Sequence, residues 1–155
     1  MGPTSANSFP ARIVFVTSEQ SKKRLAALVF EGNRPKVITA PVTAIIGFDT
    51  QFYDWLPRLF PHRDMRSMFV GKAEFAQISA LRNSTLQGGY FMLAARAIGL
   101  DCGPMSGFDN ESVDREFFPG GRIKSNFLCG IGYGDPSGVF ERLPRPSFSE
   151  VCEVV

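Results

Sequence analysis

One histidine, one tryptophan and three cysteines in 155 residues leave little material for several kinds of chemistry. His62 stands alone, so no histidine-rich metal centre can form. Cys102, Cys129 and Cys152 have neither zinc-site nor C-x-x-C spacing. An odd number of distant cysteines in apolar surroundings reads as buried thiols in a reducing compartment. The net charge is only +2, with no basic run interleaved with aromatics, which excludes the footprint of a nucleic-acid or anionic-membrane binder. No apolar run is long enough to span a bilayer, and the opening Gly2-Pro3-Thr4-Ser5 does not read as a signal peptide, so the expected location is the cytoplasm. A hydrolase triad has no G-x-S-x-G elbow to sit on. Gly130-x-Gly132-x-Gly134 lacks the G-x-G-x-x-G spacing of a dinucleotide fingerprint and reads as a strand-end turn. The carboxylate pairs Asp109 with Glu111 and Asp114 with Glu116 read as solvated charges on short helices.

What is present is an ordinary globular composition, 44% hydrophobic and 21% charged, with fifteen phenylalanines for a core or an interface. The length suits a single domain over residues 1–155. Its organising stretch runs from Phe75 to Phe108. Phe75, Ile78, Leu81, Leu86, Met92 and Leu93 recur at roughly helical spacing, with Ser79, Ala80, Ser84, Gly88, Ala94 and Ala95 between them. Gly88-Gly89 costs such a helix about 1 kcal/mol per glycine relative to alanine. The compensation is either a backbone or ligand lying against it, or simple burial as a core helix. Gly99 stops the helix, and Leu100 to Phe108 leaves as a short strand into a glycine turn offering backbone N–H groups.

Around this stretch, Gly2 to Pro10 is a stiff loop of small polar residues and prolines, suited to ligand binding if it lies inside the fold. Ala11 to Thr17 reads as a strand, and Ser18 caps a helix with Leu25, Leu28 and Val29 inward. Glu31 to Lys36 closes that helix; Asn33 is either its cap or an amide reaching a ligand's polar edge. Ala40 to Asp49 and Ser125 to Tyr133 are buried strands. Phe52 to Val70, rich in aromatic residues and arginine, is either a lid or a packed excursion. Asp109 caps a short helix, and Val151 to Val155 reads as a strand seeking an edge. Loops of small polar residues, turn amides, one amide side chain and one arginine are what remain for function. They suit a protein that holds a cofactor carrying the chemistry itself.

Several motifs together resemble the flavin-dependent nitroreductase family, within it the malonic semialdehyde reductase branch associated with pyrimidine degradation. They are Gly2-Pro3-Thr4-Ser5-Ala6-Asn7 with Pro10-Ala11-Arg12, Gly32-Asn33 ahead of Thr39-Ala40-Pro41-Val42, Leu59-Phe60-Pro61-His62, Arg82-Asn83-Ser84, Gly99-Leu100-Asp101 with Gly103 to Asp109, Lys124-Ser125-Asn126, Gly132 to Asp135, and Arg142 to Arg145. The resemblance implies an α+β fold, a central sheet flanked by helices, dimerising through a long central helix. FMN would occupy pockets built from both subunits. Pro3, Thr4 and Ser5 would line the flavin from the partner chain, and Asn33 would bond the pyrimidine side of the ring. Met105, Ser106 and Gly107 would pass the flavin with a backbone N–H aimed at N5, and Arg145 would pair with the phosphate. The flavin would carry hydride from NADH or NADPH with no side chain as an obligate catalyst, and no metal is implied. The implied acceptor is malonic semialdehyde, giving 3-hydroxypropionate, with Arg63 or Arg66 as carboxylate ligand or merely solvated. A broader nitro- or quinone-reductase and a flavin-free non-catalytic protein are the alternatives. In the family, helices precede the loop that starts here at Gly2, so the chain is expected to be N-terminally shortened. The family's C-terminal end crosses to the neighbouring subunit and extends its sheet.

Overall fold

The computed structural model describes residues 2–155. Strands β1 (Ala11–Val16), β2 (Val42–Asp49), β3 (Asp101–Met105) and β4 (Ile123–Gly132) form one antiparallel sheet in the order β1-β2-β4-β3. Both faces of β2 are covered, as its unbroken apolar run requires. Ile45 joins a cluster with Leu25, Val37 and Val113, contributed by helices α1 (Glu19–Ala26), α2 (Arg34–Thr39) and α5 (Asn110–Phe117). Ala44 and Ile46 face the other way, toward Phe91 and Met92 of the long helix α4 (Ala73–Ala97). This is the expected α+β arrangement, and its helix signals act as read. Ser18 accepts from the Ser21 N–H, Asp109 accepts from the Ser112 N–H, and Gly99 ends α4 at φ +87°.

Helix α4 sorts its residues in an unexpected way. Its inward stripe is small and polar: Ala76, Ala80, Asn83, Ser84, Gln87, Gly88 and Ala95 are buried. Most of the large apolar residues that set its periodicity point out, with Phe75, Ile78, Leu81, Leu86 and Leu93 between 41% and 67% exposed. Only Met92 of that set packs inward. Gly88 and Gly89 also part company. A Cβ on Gly88 would lie 2.6 Å from the Phe127 ring, so the sheet itself fills that space, whereas one on Gly89 would meet nothing within 4 Å.

Two amides on the inward stripe pin the N-terminal loop. Asn83 Oδ1 accepts from the Ser5 N–H at 2.8 Å, and Gln87 Oε1 accepts from the Ala11 N–H at 2.9 Å. The Asn7 amide donates to the Leu59 carbonyl at 2.8 Å. These bonds hold Ala6, Asn7 and Phe9 at φ +49°, +51° and +42°, a conformation that costs non-glycine residues on the order of 1 kcal/mol each. The segment Phe52 to Val70 is packed rather than a lid. Phe52, Leu56 of the short helix α3 (Leu56–Leu59) and Phe69 bury against Ala76 and Ala80 of α4.

The structure corrects several expectations. The second strand begins at Val42 because Ala40 ends α2, a helix absent from the sequence reading; Pro35 fits in its first turn, where no backbone N–H is needed. Asn33 therefore does not close the preceding helix, and its φ of −100° needs no left-handed tolerance. Asp114 is buried, not solvated, and accepts from the Ser125 N–H at 2.6 Å, tying α5 to β4. Cys129 is buried, Cys102 half-buried and Cys152 exposed. The C-terminal residues make helix α6 (Phe148–Val151) followed by exposed chain, and no strand forms among the described residues of this segment.

Asp49, 2% exposed at the end of β2, accepts from Arg12 at 2.8 Å, from Arg122 at 2.7 and 3.0 Å, and from the Gln51 N–H at 2.9 Å. These bonds hold the guanidinium of Arg122 above its ordinary pKa despite partial burial. Asp49→Ala is expected to cost about 3 kcal/mol in urea unfolding, because it strips several charge-assisted bonds from a buried position. A loss below about 1 kcal/mol would mean that the pairs behave as surface ion pairs.

Candidate functional site

The turn after β3 is built against the loop before α2. The Phe30 N–H donates to the Gly107 carbonyl at 2.9 Å, and Asn33 Nδ2 donates to the same oxygen at 3.1 Å. A Cβ on Gly107 would come within 2.8 Å of Asn33 Nδ2 and 3.1 Å of the Phe30 ring, so a larger residue would displace the Asn33 amide from the turn. On either side the turn is anchored. Met105 is buried in the sheet, and the Asp109 N–H donates to the Leu28 carbonyl at 2.9 Å. Between these anchors, the N–H groups of Ser106 and Gly107 have no acceptor among the described residues.

The Asn33 side chain makes no helix-capping bond and reaches across to the turn. Oδ1 accepts from Lys36 Nζ at 3.2 Å, and the remaining Nδ2 hydrogen is unused. The result is a half-exposed cradle of one amide and two backbone donors, with the 64%-exposed ring of Phe30 beside it. Such a constellation suits the edge of a planar heterocycle that alternates acceptors and donors, so the residues fit an isoalloxazine edge.

The other expected site residues lie elsewhere. Pro3, Thr4 and Ser5 are on the α4 side of the sheet, where the Ser5 N–H is held by Asn83, and no hydrogen bond among the described residues joins them to Asn33 or Gly107. An apolar cavity of about 940 Å³ opens beside that loop, lined by Phe9, Ile13, Trp55, Arg58, Tyr90 and Phe91 among others. Arg145 is exposed in the C-terminal segment and donates only to the carbonyls of Leu143 and Pro144. Arg66 pairs with Asp54 at 3.2 Å, while Arg63 is exposed and has no ion-pair partner among the described residues. The sequence reading missed Lys36 and Phe30 beside Asn33; their nearness depends on α2, which that reading did not contain. Cys129 is not a nucleophile candidate, since burial first, and then the neighbouring Cys102 thiol, push its pKa up to about 12.

A profile described as "Nitroreductase family" matches residues 1–134. A protein of Polynucleobacter asymbioticus, provisionally named an NADH dehydrogenase/NAD(P)H nitroreductase, is 60% identical over 153 residues, spanning 99% of this chain and 78% of its own length. A protein of Ralstonia pickettii with the same provisional name, HadB, is 58% identical over 154 residues, spanning 97% of this chain and 79% of its own. Among solved structures, a provisionally assigned nitroreductase of Exiguobacterium sibiricum in complex with FMN superposes with a TM-score of 0.87. It is 24% identical and covers 99% of this chain and 80% of that one, a likeness that speaks for the fold.

The cap that anchors the turn titrates. Bonds from the Ser112 hydroxyl and N–H hold the Asp109 carboxyl below its ordinary value of 3.8. A lowered folded-state pKa means stability fully present above the unfolded value and lost as pH falls through the folded one. The start of α5 is therefore expected to loosen only on acidification below 3.8, read by amide exchange at Ser112 and Val113. In Asp109→Asn that acid transition should vanish; its persistence would assign it to another group.

Proposed function

The chain belongs to the nitroreductase family, and from that premise we propose that it is an FMN-dependent oxidoreductase working as a homodimer. NADH or NADPH is the reductant and malonic semialdehyde the acceptor, yielding 3-hydroxypropionate. Bound FMN would supply the redox chemistry, accepting hydride from the nicotinamide and delivering it to the acceptor. The observation that carries the reading is the pair of unpartnered N–H groups at Ser106 and Gly107, fixed beside the Asn33 amide.

The chain's own residues would act by holding and polarising. Asn33 offers one donor and one acceptor to the pyrimidine edge, with Lys36 keeping its carbonyl oriented. A backbone N–H of the turn would donate at N5, the ring atom whose proton and charge change during turnover; a fixed dipole acts most strongly there. Arg145 supplies a planar cation for two parallel bonds to the phosphate. Pro3, Thr4 and Ser5 serve the neighbouring subunit's pocket, which accounts for their distance from Asn33 within one chain.

Dimerisation is supported by the outward face of α4. Phe75, Ile78, Leu81, Leu86, Tyr90 and Leu93 form an apolar stripe that a single chain leaves in water. Gly89 sits in that stripe with open space before it, which suits close approach of a second helix. Gly89→Arg is expected to leave the fold of one chain intact and convert a dimer to monomer in sedimentation. Retained dimer would place the interface elsewhere.

For the acceptor, Arg63 has no ion-pair partner among the described residues and Arg58 only stacks over the Trp55 ring, while Arg66 is engaged by Asp54. Arg63→Ala is expected to raise KM for malonic semialdehyde about tenfold, with kcat and turnover of a neutral nitroaromatic unchanged. The engagement of Arg66 by Asp54 favours, as the second reading, a broader nitro- or quinone-reductase. Equal turnover of both acceptors in the wild type, with no effect of Arg63→Ala, would select it.

A further inference from the structure

Chain after Gly134 is joined to the body by very little. Among the described residues, every hydrogen bond made from residues 135–155 stays inside that segment: Ser137 to Asp135, Arg145 to Leu143 and Pro144, and Ser147 to Glu150. Helix α6 and its surroundings are exposed throughout. The last tie to the body is the Gly134 N–H, which donates to Asp101 Oδ2 at 2.7 Å.

Asp101 is built for this contact. It opens β3, where it faces Gly132 across the β3–β4 ladder, so its carboxylate stands beside the point where β4 ends. Oδ1 pairs with Arg96 from the last turn of α4, which turns the carboxylate so that Oδ2 meets Gly134. A Cβ at Gly134 would sit 3.0 Å from Asp101 Oδ2, so glycine lets the backbone come this close. As an exposed ion pair, Arg96–Asp101 contributes little to stability. A charge-assisted bond to a backbone N–H at a strand exit does something else: it restricts the direction in which a flexible segment departs.

We propose that Asp101 is a positioning residue: held by Arg96, it clamps the exit of β4 at Gly134 and so sets the path of the C-terminal segment that carries Arg145. The inference rests on the reading of Arg145 as the ligand of the FMN phosphate. Asp101 itself touches neither cofactor nor substrate. Without the clamp, Arg145 starts from a wider set of positions, and the ordering cost falls on binding.

A double-mutant cycle tests it, with FMN affinity read by quenching of flavin fluorescence. Asp101→Ala is expected to weaken FMN binding about fivefold, the size of a lost solvent-facing bond to a charged group. Asp101→Asn keeps an acceptor for Gly134 and should restore most of that loss. In the Arg145→Ala background, Asp101→Ala should add nothing further. A full additional loss there, or no loss in the wild-type background, would overturn the inference. Hydrogen exchange of residues 134–147 separates it from the flavin reading. Faster exchange in Asp101→Ala supports the clamp even if the wild-type protein binds no FMN, in which case only the flavin reading fails. Unchanged exchange removes the clamp whatever the flavin does.

Discussion

The inward stripe of α4 is the constraint on which the rest depends. The helix crosses the sheet at Ala44, Ile46 and Phe127, and side chains larger than those of Ala80, Ser84 and Gly88 would hold it off. Close approach brings a second demand, since the loop before β1 and the edge of β4 meet the same helix with polar groups that need partners. Asn83 and Gln87 answer for Ser5 and Ala11, and the Asn126 amide donates to Ser84 Oγ and Thr85 Oγ1 at 3.1 and 2.8 Å. With small and polar residues committed inward, the apolar ones go outward. The helix then carries its hydrophobic stripe on the face away from its own core, which one chain alone does not cover.

The same division separates two groups of candidate ligand-binding residues. The cradle of Asn33, Ser106 and Gly107 belongs to the α1, α2 and α5 side of the sheet. The polar N-terminal loop belongs to the α4 side, near the face that a second chain would cover. In the homodimer proposed above, the loop of one copy would serve the cradle of the other. The strained backbone at Ala6, Asn7 and Phe9 is held by bonds to α4 and α3, so the loop keeps its shape without a ligand.

The sequence made much of this legible and hid the rest for definite reasons. Caps at Ser18 and Asp109, the stop at Gly99 and the buried run into Asp49 are local signals, and each acts as read. The turn from Met105 to Gly107 and the amide of Asn33 were candidate binding groups through the family resemblance, and the structure brings them side by side. Periodicity found α4 but not its orientation, since an apolar stripe looks the same whether it faces a core or a partner; Asn83 and Gln87, four apart among small residues, were the available sign. Helix α2 was missed because Gly32, Asn33 and Pro35 all read as breakers, although proline in a first turn is compatible with helix. The roles of Asp49, Asp101 and Asp114 depend on partners far away in sequence, Arg122, Gly134 and Ser125, which no local pattern announces.

Flavin retention tests the central claim most directly. The purified protein would be incubated with FMN, desalted, and its visible spectrum recorded before and after addition of NADH or NADPH. A retained flavin spectrum that bleaches with reductant and returns on addition of malonic semialdehyde is the expected result, with retention sharply reduced in Gly107→Ala, where the new Cβ displaces Asn33. A protein that emerges colourless from saturating FMN, or that holds flavin equally well in Gly107→Ala, would contradict the assignment of the Asn33 and Gly107 cradle as the flavin site.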